Sequence, residues 1–324
     1  MTVRYVRPRS VEAHGPTEPG LQTGRHAPPP RTLVRPVLPL LALGALAACG
    51  GGTPAPSTAP TPADAPAVSA APVAAARFSW SSGRRMVEVR TDAVVTRDNP
   101  AAASAGTAPL AADQRVGTVA YLTADLAPAQ NPGATAVTGT VDSLVAAAPT
   151  PTTLIAGLRY RAASDTRGVR VEAADPGVDL RCTATTGPAA LSAFAAVREA
   201  LPHIPAGLAA GARWRDTTVT ASCAGPVLLV AQTVADYESA PDPAAPGRLR
   251  VIRQTATTAR GTGTAGVRPV TVAASGTARA LYTLDPSRGQ LVDGTSEGRT
   301  TVTFTVSGAP QRFTQQTRTQ LTVR

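Results

Sequence analysis

The chain has 324 residues, 43% hydrophobic but only 3% aromatic, so a core is affordable only if small side chains build most of it. All 31 basic residues are arginine, against 21 acidic residues, for a formal charge of +10. The arginines are scattered, with only Arg84-Arg85 adjacent, so the charge does not cluster as a nucleic-acid face would, and no nucleic-acid partner is expected. The lack of lysine, with abundant Ala, Gly and Pro, matches the codon bias of a GC-rich genome. Past residue 48 the balance falls to 25 Arg against 19 acidic residues.

The first organised stretch is an apolar run at 37–48, preceded by Arg31 and Arg35 and ending in Leu46-Ala47-Ala48-Cys49-Gly50. At about twelve residues it is too short for the roughly 20 that a spanning helix needs. A basic flank, a short apolar core and small residues before a cleavage point make a secretory signal. The Leu-Ala-Ala-Cys end is similar to the lipobox of bacterial lipoproteins. That resemblance implies cleavage before Cys49, diacylation of its thiol and acylation of the new amine, palmitate being one such chain. It also implies attachment to a membrane through those chains. Each buried methylene contributes about 0.8 kcal/mol, so two or three chains anchor stably where one would not. The alternative is an ordinary secretory signal in which Cys49 is incidental. Gly50 follows the cysteine, where members retained in the inner membrane often carry Asp. The class therefore points to the outer membrane, periplasmic side. Residues 1–33 are long for a signal flank and contain Pro28-Pro29-Pro30, which suggests a start further on, near Val34. Residues 1–48 are set apart as leader.

Residues 49–76 hold Gly, Pro, Ala, Ser and Thr, with two Val (Val68, Val73) and one charge, Asp64, after the cysteine. They cannot bury a core and read as a disordered tether. From residue 77 the pattern changes to period-two alternation, and 77–324 reads as one β-rich domain. Phe78 and Trp80 alternate, as do Val87 and Val89. A Pro/Ala/Gly-rich loop is expected at 99–113. Strands are expected at 85–90, 116–125, 136–147, 154–163, 168–172 and 178–185. One helix follows. Gly187-Pro188 opens it, Leu191, Phe194, Val197 and Leu201 recur at helical spacing, and Pro202 ends it. Further strands are expected at 217–222, 227–237, 249–258, 270–284, 290–293, 299–307 and 312–323. Leu284-Asp285-Pro286-Ser287-Arg288-Gly289 has the residues of a hairpin turn. The fold class is mainly β: a curved antiparallel sheet with one short helix.

The second half resembles uncharacterised β-rich envelope lipoproteins of bacteria, through Pro205, Gly211, Trp214, Leu284, Asp285, Gly289 and Leu291. More loosely, one helix on a large curved antiparallel sheet is similar to envelope lipoprotein and lipid carriers, which hold acyl chains in a concave sheet face. These likenesses imply a fold and a location, not a reaction.

With Cys49 given to lipid, Cys182 and Cys223 remain as a pair that an oxidising compartment would close. The alternative is two buried free thiols. Both sit in strand-like segments, at 178–182 and 219–223, so the bridge is expected to join two strands. Trp80 and Trp214 are candidate ligand contacts, or else core and strand-end plugs.

Other motifs look like chemistry without its context. Gly261-Thr-Gly263-Thr-Ala-Gly266 matches a dinucleotide loop, but a strand-like stretch follows where a helix N-terminus is required, so a hairpin loop is expected. Gly294-Thr-Ser296-Glu-Gly298 matches a nucleophile elbow without the helix behind it, and Glu297-Gly298 reads as a turn. The only histidine after Cys49 is His203, too little for a Ser–His hydrolase, and two cysteines with one histidine fall short of a zinc set. Asp236 and Glu238 share a strand face and read as solvated. No catalytic residue, metal or cofactor is expected, and the chain is not expected to be an enzyme. Two readings stay open: a carrier for a lipid or other apolar ligand, and a structural or protein-interaction lipoprotein. The carrier predicts apolar residues on both faces of several strands, as at 227–230. The interaction module predicts a filled interior and polar outer faces.

Overall fold

The computed structural model describes residues 77–98, 114–128, 134–147, 151–165 and 168–324. The leader, Cys49, the tether and the 99–113 loop lie outside the described residues. Eleven strands form one sheet: β1 (Gly83–Arg97), β2 (Gln114–Pro128), β3 (Thr135–Ala146), β4 (Thr152–Asp165), β5 (Gly168–Ala173), β6 (Arg213–Ala224), β7 (Val227–Pro241), β8 (Leu249–Ala265), β9 (Arg268–Asp285), β10 (Gln290–Val306) and β11 (Ala309–Val323). One helix, α1 (Gly187–Ala200), lies between β5 and β6. The expected class, mainly β with a single short helix, is the observed one.

The sheet order is β5-β4-β3-β2-β1-β11-β10-β9-β8-β7-β6 and every pairing is antiparallel. It is a meander whose first and last strands, β1 and β11, meet in the middle. The sheet curls until it is nearly a closed barrel. Its free edges, β5 and β6, come close without a ladder between them: a Cβ on Gly168 would stand 2.6 Å from Thr218 Cγ2. Bulges at Tyr121/Leu122, Leu144/Val145 and Leu291/Asp293 add the local twist that closure requires.

Helix α1 closes the inside. Small residues dominate it, and Ala189, Ala190, Leu191, Ala193, Phe194, Val197 and Ala200 are buried. An alanine-rich helix is thin enough to sit against the concave faces of β1 to β6, which all contact it. Gly187 is required at its start, because a Cβ there would lie 2.0 Å from the Arg181 carbonyl oxygen. The main core joins α1 to inward residues of most strands, among them Leu122, Val141, Tyr160, Val251, Tyr282 and Leu284. A smaller cluster at the other end includes Val227, Leu229, Val270, Val272 and Val302. Both clusters lie between Phe78 and Leu321, so the barrel carries its own core.

Several sequence expectations are corrected. Residues 178–185 form no strand. Asp179 Oδ1 accepts the Arg181 backbone N–H at 3.0 Å, an Asx-type turn that competes with extension. Cys182 and Cys223 are bonded, but the bridge ties a turn to β6 rather than strand to strand. Closing a loop with 41 residues of separation contributes about 3–4 kcal/mol. The stretches 290–293 and 299–307 are one strand, so Glu297-Gly298 is no turn. Gly294 sits under Tyr282, whose ring carbon would be 2.9 Å from an added Cβ. The 261–266 loop shrinks to a turn at Gly266-Val267. Gly261 belongs to β8, where a Cβ would meet the Leu228 carbonyl oxygen at 2.2 Å. In each case a glycine that looked like a turn signal makes room for a neighbour. The 284–289 hairpin is as expected: Asp285 Oδ1 accepts the Ser287 and Arg288 backbone N–H groups, and Gly289 takes φ +60°.

Candidate functional site: the barrel lumen

Inward positions change character along each strand. On β8 they run Leu249, Val251, Arg253, Thr255, Thr257, Ala259, all buried. The register carries these rungs across the sheet. Val251 pairs with Tyr282, and Leu321 with Val89. Two positions on, Thr319 pairs with Thr91, and Thr317 with Ala93 beyond it. The apolar rungs face α1. The polar rungs begin near its C-terminal turn.

Along one side of α1, from Leu191 to Glu199, the chain leaves a cavity of about 170 Å³, lined also by inward residues of strands from both sheet halves. Much of its wall is small and apolar: Ala120, Leu144, Val169, Ala195, Ala235 and Ala259. The rest is polar. Thr233 and Thr257 share a hydrogen bond of 2.7 Å between their hydroxyls, and Thr91 and Thr319 one of 3.2 Å.

Two charged groups of side chains stand at its edge. In the first, Glu199 accepts hydrogen bonds of 2.9 and 2.7 Å from Arg253 and one of 3.3 Å from the Tyr282 hydroxyl. The Arg253 guanidinium also stands 5.4 Å from the centre of the Tyr282 ring. Burial pushes the Tyr282 hydroxyl well above its ordinary pKa. In the second, Asp216 Oδ2 lies 3.1 Å from His203 Nδ1 and accepts a 2.9 Å bond from the Tyr237 hydroxyl. A carboxylate partner assigns the proton to His203 Nδ1 in this contact. Tyr237 too is raised well above the ordinary tyrosine value, first by burial. A His–Asp pair can orient an imidazole as a base. Among the described residues no Ser, Thr or Cys side chain hydrogen-bonds that ring.

Not every polar atom here is satisfied. Arg253 Nε and Thr255 Oγ1, both on the cavity wall, are buried with no hydrogen-bond partner among the described residues, as are Ser296 Oγ on β10 and Thr317 Oγ1 on β11.

Trp214 does not line this cavity. Its ring stacks on Tyr237 with centroids 4.9 Å apart, and its N–H donates to the His203 carbonyl at 3.0 Å. Trp80 packs edge-on against Phe78 with the Arg85 guanidinium 5.7 Å from its centroid. It borders a smaller hollow of about 140 Å³ with Leu126 and Ile204. Asp236 and Glu238 point outward and pair with Arg215 and Arg213. Among the described residues no group of three or more His, Cys, Asp and Glu could hold a metal ion.

Sequence reasoning weighed His203 only as too little for a hydrolase or a zinc set, and named none of Glu199, Asp216, Arg253 and Tyr237 as site residues. One signal was available. Arg253 and Asp216 occupy inward positions of their alternating strands, where an unpaired charge is costly, so each demanded a partner.

The outer face is different. Arg279, Glu297, Arg299 and Arg318 are exposed on it at mid-strand, where a lipid-facing barrel would carry an apolar band. Apolar residues are exposed too: Val219, Val230 and Leu228 form a patch on β6 and β7 at 70%, 53% and 44%, and Met86 on β1 is 55% exposed. No family model matches the chain, and the search of curated proteins finds no match.

Proposed function

We propose that this chain is a lipid-anchored cell-envelope protein whose barrel binds a compact ligand with an apolar body. The anchor rests on Leu46-Ala47-Ala48-Cys49 behind its short apolar run. The binding role rests on one observation: the cavity of about 170 Å³ that α1 leaves beside small apolar walls and unpartnered polar atoms. A cavity of roughly 150 Å³ takes a single benzene. The lumen therefore has room for one ring or a short chain. Native mass spectrometry of residues 50–324, exported to the periplasm and purified without detergent, should show a co-purifying small organic mass. A clean apoprotein spectrum would count against the reading. For the anchor, labelled palmitate should be incorporated by the full chain and lost on Cys49→Ser.

The second reading, a protein-interaction lipoprotein, is favoured by the exposed Val219, Val230 and Leu228 patch beside the free edge of β6. An apoprotein spectrum together with a partner retained by wild type but not by Val230→Asp would support it.

A further inference from the structure

The proposed ligand reading leaves one charge in the lumen without an answering group. Two guanidiniums and two carboxylates line the cavity: Arg198, Arg253, Glu199 and Asp216. Glu199 is taken by Arg253 and Tyr282, and Asp216 by His203 and Tyr237. Arg198, in the last turn of α1, makes no hydrogen bond or ion pair with any described residue, and only the neighbouring Glu199 charge acts on it. Burial lowers the Arg198 guanidinium to about 10, which still leaves it charged at neutral pH. Elsewhere on the same wall, Arg253 Nε and Thr255 Oγ1 are two unpartnered groups that can donate, on consecutive inward positions of β8. A guanidinium fits a planar or tetrahedral oxyanion.

Resting on the ligand reading above, we infer that the lumen takes an amphiphile with one anionic head, a carboxylate or phosphate held by Arg198, and an apolar tail among the alanines of the wall. Because the cavity is small, the tail is short.

Calorimetric titration of residues 50–324 with octanoate, octyl phosphate and 1-octanol tests this. At least one of the two anions should bind at least tenfold more tightly than the alcohol, and the larger ratio names the head. Arg198→Gln should collapse that ratio to within about twofold, while Arg198→Lys should keep part of it. The wild-type ratio alone is decisive, whether or not the variants fold. If 1-octanol binds and neither anion binds more tightly, the head-group inference fails and the ligand reading stands. If none of the three binds, both fail. A tenfold ratio that survives Arg198→Gln moves the head away from Arg198 and overturns the assignment.

Discussion

The two levels of the lumen share the same strands and the same inward faces, yet they are built from opposite side chains. Beside the body of α1 stand Val251, Tyr282, Leu284 and Leu321; one rung further on stand Arg253, Ser296 and Thr319, and two rungs on Thr255. The backbone does not set this difference, because the pleat of β8 and β11 continues unbroken through both levels. What fills the space sets it. The helix presents Leu191, Phe194 and Val197, and only apolar neighbours pack against them without stranding a polar group. Away from that apolar stripe, buried polar atoms of the strands must pair with one another or with something else. Most pair; a few do not.

The comparison breaks most readily at the packed level. Phe194, 2% exposed, is the largest side chain that α1 buries, and Phe194→Ala should cost about 4 kcal/mol, read as a fall in the unfolding midpoint. A loss under about 1 kcal/mol would mean that the helix does not fill the barrel as described. At the polar level, Glu199→Gln leaves Arg253 mostly buried without its counter-charge and should cost about 3 kcal/mol. The double change Glu199→Leu with Arg253→Met should recover most of that. If the double variant is as unstable as the single one, the pair is not isolated as drawn.

Alkaline pH probes both levels at once. Burial raises Tyr160, Tyr237 and Tyr282 above the ordinary value of 10.0. Groups raised on folding stabilise fully below their unfolded value and lose that contribution as pH climbs past it. Stability should therefore fall from about pH 10 upward. Arg198 works in the opposite direction, since its lowered value releases a cost from about 10 upward, but it is one group against three. Tyr237→Phe should flatten the decline in denaturant midpoint between pH 9 and 11; an unchanged slope would place Tyr237 outside the effect. The smallest change belongs to the outer face. Arg215 and Asp236 are 2.7 Å apart with 66% and 58% of their side chains exposed, so Arg215→Ala should cost less than about 1 kcal/mol. The contrast with Glu199→Gln separates an ion pair in water from one in the lumen.

Much of the fold was legible because alternation is local. Val302 and Phe304 against Thr301 and Thr303 announce a strand without reference to the rest of the chain. The single helix was legible for the same reason, through Leu191, Phe194, Val197 and Pro188. Strand lengths were less so. Gly261, Gly294 and Gly298 look like punctuation in sequence, but Gly261 and Gly294 answer to the Leu228 backbone and the Tyr282 ring, contacts that exist only after folding. The site was hidden in the same way. His203 and Asp216 are 13 residues apart and Glu199 and Arg253 are 54 apart, and no spacing rule links them. The lone pairs and protons they share are set by the curl of the sheet around α1.

The account turns on the space beside α1 being a binding site, and filling it is the most direct test. Ala195 lines the cavity from the helix side. Ala195→Phe should abolish binding of octanoate and 1-octanol in the calorimeter while leaving the unfolding midpoint equal to or above that of wild type. Undiminished binding by a folded Ala195→Phe protein would contradict the account, because the ligand would then be held somewhere else.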